Sequence, residues 1–223
     1  MTDGQDMSMD QVEFMKRMKA IASDLWGGTA ALAGEGKEEA SKETREPAPK
    51  TAGKPAITID NLWKTADETI DWTDALSHNT PTDGLTGPRM WSFYHKHAEK
   101  VLSGDVAAYA DVLQKANPLG ELIDFAEGIN MRAPSADRLE SCFTCRKELM
   151  EKNEKKYLCA LSLRIARDLL ACLPVSEVTV TGEYEGKTVF SVTYTRQQLH
   201  HRNFAFVDPV ALAEECGAEF NDI

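Results

Sequence analysis

Residues 158–195, LCALSLRIARDLLACLPVSEVTVTGEYEGKTVFSVTYT, decide the fold, because apolar spacing switches inside them from the period of a helix to that of a strand. Leu158, Leu161, Leu163, Ile165, Ala166, Leu169, Leu170, Cys172 and Leu173 cover most of a helix that begins near Lys147. Only a narrow stripe through Arg164, Arg167 and Ala171 is left, so the helix is central. Pro174 stops it. The next twenty residues alternate with period two on both sides of Gly186, which predicts a hairpin. A two-residue loop would pair Val178 and Val180 with Ser191 and Thr193 and throw Phe190 and Val192 to the opposite face. A three-residue loop, Tyr184-Glu185-Gly186, aligns Val178 with Val192 and Val180 with Phe190 and unites the apolar rows; that register is the expectation.

Ahead of the helix, DRLESCFTC predicts another strand with Leu139 and Phe143 on one face, giving β-α-β-β order over residues 138–195. The expected class is α+β: a helical part over 57–130, then a small antiparallel sheet packed on one long central helix, then a C-terminal helix over 208–216. Within the helical part, Trp91, Tyr94, Ala98 and Val101 face inward from a helix over 89–102, and a second helix covers 105–115. A third is predicted in NPLGELIDFAEG, with Asn117 as cap, Pro118 in the first turn and Gly128 as stop. Trp63 and Trp72, interleaved with acidic residues over 57–77, read as aromatics tucked into the core edge rather than an exposed binding strip. HNTPTDGLTGP, residues 78–88, is a loop.

Two segments precede this domain. Val12, Met15, Met18, Ala22 and Leu25 recur at helical spacing between Asp10 and the Gly27-Gly28 stop, so residues 1–33 predict an amphipathic helix. Residues 34–56, rich in Glu, Lys, Ala, Pro and Gly, hold too little apolar surface to offset their ordering entropy and predict a flexible linker. The 223 residues, 42% of them hydrophobic, suffice for a sizeable core. A formal charge of −11 argues against a nucleic-acid partner. No run of apolar residues is long enough for a membrane span and the N-terminus lacks the pattern of a secretory signal, so the expected location is cytoplasmic, with no membrane partner. Five cysteines, an odd number without a framework, suit reduced thiols.

Three phrases, YADVLQKANPLGELIDFA, LCALSLRIARDLLACLPVSEVTV and KTVFSVTYTRQQLHHRNFAFVDPVALAE, resemble a bacterial protein family of unknown function over roughly residues 107–214. The shared features are a helix ending in an Asn-Pro-Leu step, a long helix ending in Leu-Pro, a valine-rich hairpin and an Asp-Pro helix start. The resemblance implies fold boundaries and no activity, and it puts plain strand residues where Cys142 and Cys145 stand.

Cys142 and Cys145, in SCFTCRKEL, are the chemical candidates. At Cys-x-x-Cys spacing before a helix they suit a redox pair, or half a zinc site completed by His95 with His97 or His200 with His201. If residues 138–145 are a strand, however, Cys142 shares a face with Glu140 and Thr144, and Cys145 with Leu139 and Phe143, so the thiols act separately. If the strand stops by Ser141, Thr144 caps the helix and both thiols reach the positive end of its dipole. The strand is the expectation. Glu185 and Lys187, with Asp168, could hold a nuclease metal, but Gly186 marks a turn where side chains splay into water. Arg146, Lys147, Lys152, Lys155, Lys156, Arg164 and Arg167 alternate with acids as on a solvated, salt-bridged helix face. With no phosphate-cradling loop and no serine-nucleophile motif, the leading expectation is a non-catalytic protein-binding or regulatory module, without cofactor, that meets another protein through the N-terminal helix. The alternative is a thiol-redox or zinc-dependent protein using Cys142 and Cys145.

Overall fold

In the computed structural model, residues 56–221 are described; the expected N-terminal helix and linker lie outside them. A five-stranded mixed sheet forms one layer, its strands hydrogen-bonded in chain order: β1 (Ala126–Ser135), β2 (Arg138–Cys145), β3 (Glu177–Tyr184), β4 (Lys187–Thr195) and β5 (Glu219–Phe220). The helices are α1 (Trp72–Ser77), α2 (Pro88–Leu102), α3 (Val106–Ala116), α4 (Lys147–Cys172), α5 (Arg196–Leu199) and α6 (Pro209–Glu215). The mixture of helix and sheet is the α+β class.

The expected all-antiparallel sheet is corrected on one point. β2 and β3 run parallel, with Leu139 opposite Val178 and Ser141 opposite Val180, whereas the other neighbours are antiparallel. The connection explains it, since a parallel pair needs a long crossover and α4 supplies one. A second correction concerns residues 117–128. Asn117 does not start a helix; it ends α3 in the left-handed conformation, φ 48°, its N–H donating to Leu113 O. Asparagine tolerates that conformation and Pro118 cannot continue the helix, so the Asn-Pro step is a stop signal. A single 3-10 turn, Gly120–Leu122, follows, and the chain enters β1, a strand the sequence did not predict.

The hairpin also departs from expectation, in its loop. Tyr184 pairs with Lys187, so the loop is two residues, Glu185 and Gly186, with φ of 51° and 77°. That left-handed pair is what a type I′ turn requires. A bulge then inserts Val189, and beyond it Gly182 faces Phe190, Val180 faces Val192 and Val178 faces Tyr194. The bulge restores the parity that a two-residue loop would have lost. The apolar rows therefore do meet on one face: Val178, Val180, Phe190, Val192 and Tyr194 are all buried.

α4 lies on that face. Asn153 breaks it early, at φ −165°, and its side chain accepts from Lys156 N, so the second segment starts with its own cap. From Tyr157 onward nearly every residue is buried, because the segment before α1 covers the stripe left open by the sheet. Arg164 consequently sits in the interior and does not belong to a solvated face as expected. Trp63 and Trp72 are buried as expected, their indole N–H groups donating to Val207 O at 2.9 Å and Cys172 O at 3.0 Å. Asp208 caps α6 through Val210 N and Ala211 N, with Pro209 in the first turn.

Candidate binding groove

The predicted chemical residues do not gather. β2 runs through Cys145, with buried and half-buried residues alternating, so Cys145 is buried with Leu139 and Phe143 while Cys142 lies on the opposite face with Glu140 and Thr144. Burial pushes both thiols up to about 12, helped at Cys142 by Glu183. A thiol held protonated is a poor nucleophile and a poor metal ligand. His95 contacts Ala75 O through Nδ1 at 2.7 Å, and the His97 ring packs 4.2 Å from that of Phe93. Among the described residues no three of His, Cys, Asp and Glu converge as a metal would require. Glu185 and Lys187 are exposed at the hairpin turn, and Asp168 is buried in α4.

The structure assembles a different site where α4 ends. Residues 66–70 run alongside its last turns, held by Asp67 N donating to Asp168 Oδ1 at 2.9 Å and Ile70 N donating to Ala171 O at 2.9 Å. Thr195, the last residue of β4, turns the chain into α5 through a capping box with Gln198. This brings Arg196 under the end of α4, where Nε donates to Val175 O at 3.1 Å and Nη2 to Leu170 O and Leu173 O, each at 2.7 Å. Those carbonyls have no partner within the helix, so Arg196 closes its C-terminus.

Arg167 forms the opposite wall. Its guanidinium lies 3.6 Å from the Phe204 ring centroid, and Nη1 donates to Trp63 O and Thr65 O. Burial brings Arg167 down to about 10 despite the attraction of Asp168, and burial lowers Arg196 too. Between the two arginines is a hollow of about 180 Å³, lined also by Asp67, Thr69, Leu199 and His200. It adjoins a wider concavity of about 700 Å³ bounded by Ser176, Glu177, Thr195, Gln197 and His201, with Arg196 and His200 common to both. His201 adopts a left-handed φ of 64°, and its ring lies 3.6 Å from that of His200. A non-glycine residue held there costs on the order of 1 kcal/mol and is found where the surroundings impose it. Phe206, in the same loop, is 86% exposed.

Sequence reading missed this groove. Arg167 was assigned to a solvated face, and Arg196, Phe204 and Phe206 were not singled out. The available signal was HHRNFAF, two phenylalanines in a short polar stretch between a strand and a capped helix, where neither strand nor helix period accounts for them.

No family model, no curated protein and no solved structure matches the chain. Among the described residues no helix is long and apolar enough to cross a membrane.

Proposed function

We propose that this chain is a non-catalytic protein-binding module and that the groove beside α5 is one of its contact surfaces. The observation that carries the reading is the groove lined by Phe204, Arg167 and Arg196, with Phe206, two residues beyond Phe204 in the same loop, 86% exposed. Aromatic and arginine side chains dominate the energetics of protein contacts, since they combine large buried area with directional donors. Burial keeps the Cys142 and Cys145 thiols protonated, and among the described residues no three metal-ligating side chains converge, so neither the thiol nor the zinc reading gains support. The apolar positions Val12, Met15, Met18, Ala22 and Leu25 supply the second contact anticipated from sequence.

Site-specific photo-crosslinking tests the reading. A benzoylphenylalanine at position 206 should trap a discrete protein in living cells, whereas the same group at Leu85, also exposed but in the loop before α2, should not. Identical patterns at the two positions, or no adduct at 206, would remove the groove as a protein contact.

A further inference from the structure

Arg167 and Arg196 line one hollow, both are half-buried, and neither makes an ion pair with a carboxylate among the described residues. Arginines taken out of water are ordinarily paired, because the desolvation of an unpaired charge is costly. The lowered values of both guanidiniums record that cost. Asp67 lines the same hollow and is held there by its N–H, which donates to Asp168 Oδ1.

The structural duties of the two side chains leave specific donors over. Arg196 spends Nε and Nη2 on the carbonyls that end α4, so Nη1 remains. Arg167 spends Nη1 on Trp63 O and Thr65 O, so Nε and Nη2 remain. Those two are the side-on fork of a guanidinium, two parallel N–H groups at the spacing of two oxygens on one carboxylate or phosphoryl group. Stacking on Phe204 fixes the plane of the fork without using any of its donors. Thr69 and His200 belong to the same lining. Apolar Leu170, Ala171 and Leu199 complete the lining and keep the local dielectric low, which strengthens any charge-assisted bond formed there.

We propose that the hollow is an oxyanion site: Arg167 grips a carboxylate or phosphoryl group side-on, Arg196 adds a third donor, and the group is carried by the protein partner that covers Phe206. The inference deepens the reading of the same groove and names the chemistry by which a partner is recognised. A chain of net charge −11 repels anionic partners at long range, so selectivity has to come from short-range geometry of this kind.

The test follows the arginine Nε–Hε resonances of the full chain by NMR during titration with inorganic phosphate, with malonate, and with sodium chloride at matched ionic strength. The Arg167 and Arg196 signals should move saturably with phosphate, with malonate or with both. Those of Arg132 and Arg202, already paired with Glu140 and Glu215, should drift only as in chloride. Saturation by malonate alone assigns the site to acidic side chains or a chain terminus, and saturation by phosphate alone to a phosphorylated residue. Arg167→Lys, which keeps the charge and loses the fork, should weaken the effective anion about tenfold, as loss of a charge-assisted bond implies. Parallel, unsaturable drift of all arginines in all three titrations would overturn the site. Crosslinking at position 206 does not depend on the small anions: adducts with a silent titration remove the oxyanion site and leave the contact surface, and the reverse result does the opposite.

Discussion

Arg164 and Asp168 stand one turn apart in the middle of α4 and meet at 2.6 Å, Nε to Oδ2, with 2% and 0% of their side chains accessible. Each is held by a second element as well. Arg164 donates to Thr65 Oγ1 at 2.7 Å and to Glu121 at 3.2 Å, and Asp168 accepts from Asp67 N. The pair thus ties the segment before α1, and the turn before β1, to the central helix. It is also what carries residues 65–67 to the edge of the groove.

Removing one partner should show how much of the fold depends on this tie. Arg164→Ala leaves a carboxylate buried without its counter-ion and strips a long side chain from the interior. The expected loss, measured by urea unfolding at pH 8, is about 3–5 kcal/mol. A change below about 1 kcal/mol would mean that water reaches the pair.

Asp168 should also leave a mark on stability against pH. Burial pushes it from 3.8 up to about 7, outweighing Arg164 and the Asp67 N–H, which pull it down. A carboxyl whose folded value lies above its unfolded value binds its proton more tightly in the folded chain. Its contribution is therefore fully present below about pH 4 and is lost as the pH rises to about 7. Asp168→Asn cannot ionise and should lack that slope. The wild-type stability minus that of the variant should fall between pH 4.5 and 7.5, and a rising difference would show that the ionised form is the one the fold favours.

The hairpin turn can be improved. Glu185 sits at φ 51° in the first central position of a type I′ turn, a place suited to asparagine, aspartate or glycine. Glu185→Asn should raise stability by about 0.4–1 kcal/mol, and Phe190→Ala, which empties a fully buried position on the same hairpin, should lower it by about 3–5 kcal/mol. Thermal melts of the two single variants check both signs.

Packing where α4 crosses the sheet is similarly tight. A Cβ at Gly182 would lie 3.0 Å from Phe143 Cζ and 3.3 Å from Leu158 Cδ2. Both neighbours are fully buried, so they have little freedom to withdraw. Gly182→Ala should cost about 1–3 kcal/mol in the same unfolding measurement.

What the sequence disclosed and what it hid divide along physical lines. Leu139, Phe143, Val178 and Val180 alternate cleanly because β2 and β3 each bury one face, so period alone finds them. β1 hid because an edge strand tolerates Gly128, Asn130 and Pro134, none of them strand formers, and its inward Ile129 and Ala133 are too few to set a pattern. Arg164 was misread because helix periodicity tells which face a residue occupies and not what covers that face; the covering segment lies about a hundred residues away in the chain. The groove hid for the same reason. Arg167 and Arg196 come from different elements, and only the tertiary fold sets them on one hollow.

The cysteines provide the last test, because here sequence spacing and strand geometry argue in opposite directions. A Cys-x-x-Cys motif suggests shared chemistry, yet positions i and i+3 of a strand point to opposite faces, and burial pushes both thiols up to about 12. The folded chain should therefore alkylate slowly at pH 7.5, Cys142 before the more deeply buried Cys145, and all five cysteines should react at once in urea. Mild oxidation should give no Cys142–Cys145 disulfide by mass spectrometry, since bridging needs Cβ atoms about 3.5–4.5 Å apart on facing vectors. The purified protein should carry no stoichiometric zinc at these residues. One equivalent of metal lost in the Cys142→Ser, Cys145→Ser double variant, or a rapid disulfide between the two, would return the thiol reading to first place and require residues 142–145 to leave the strand.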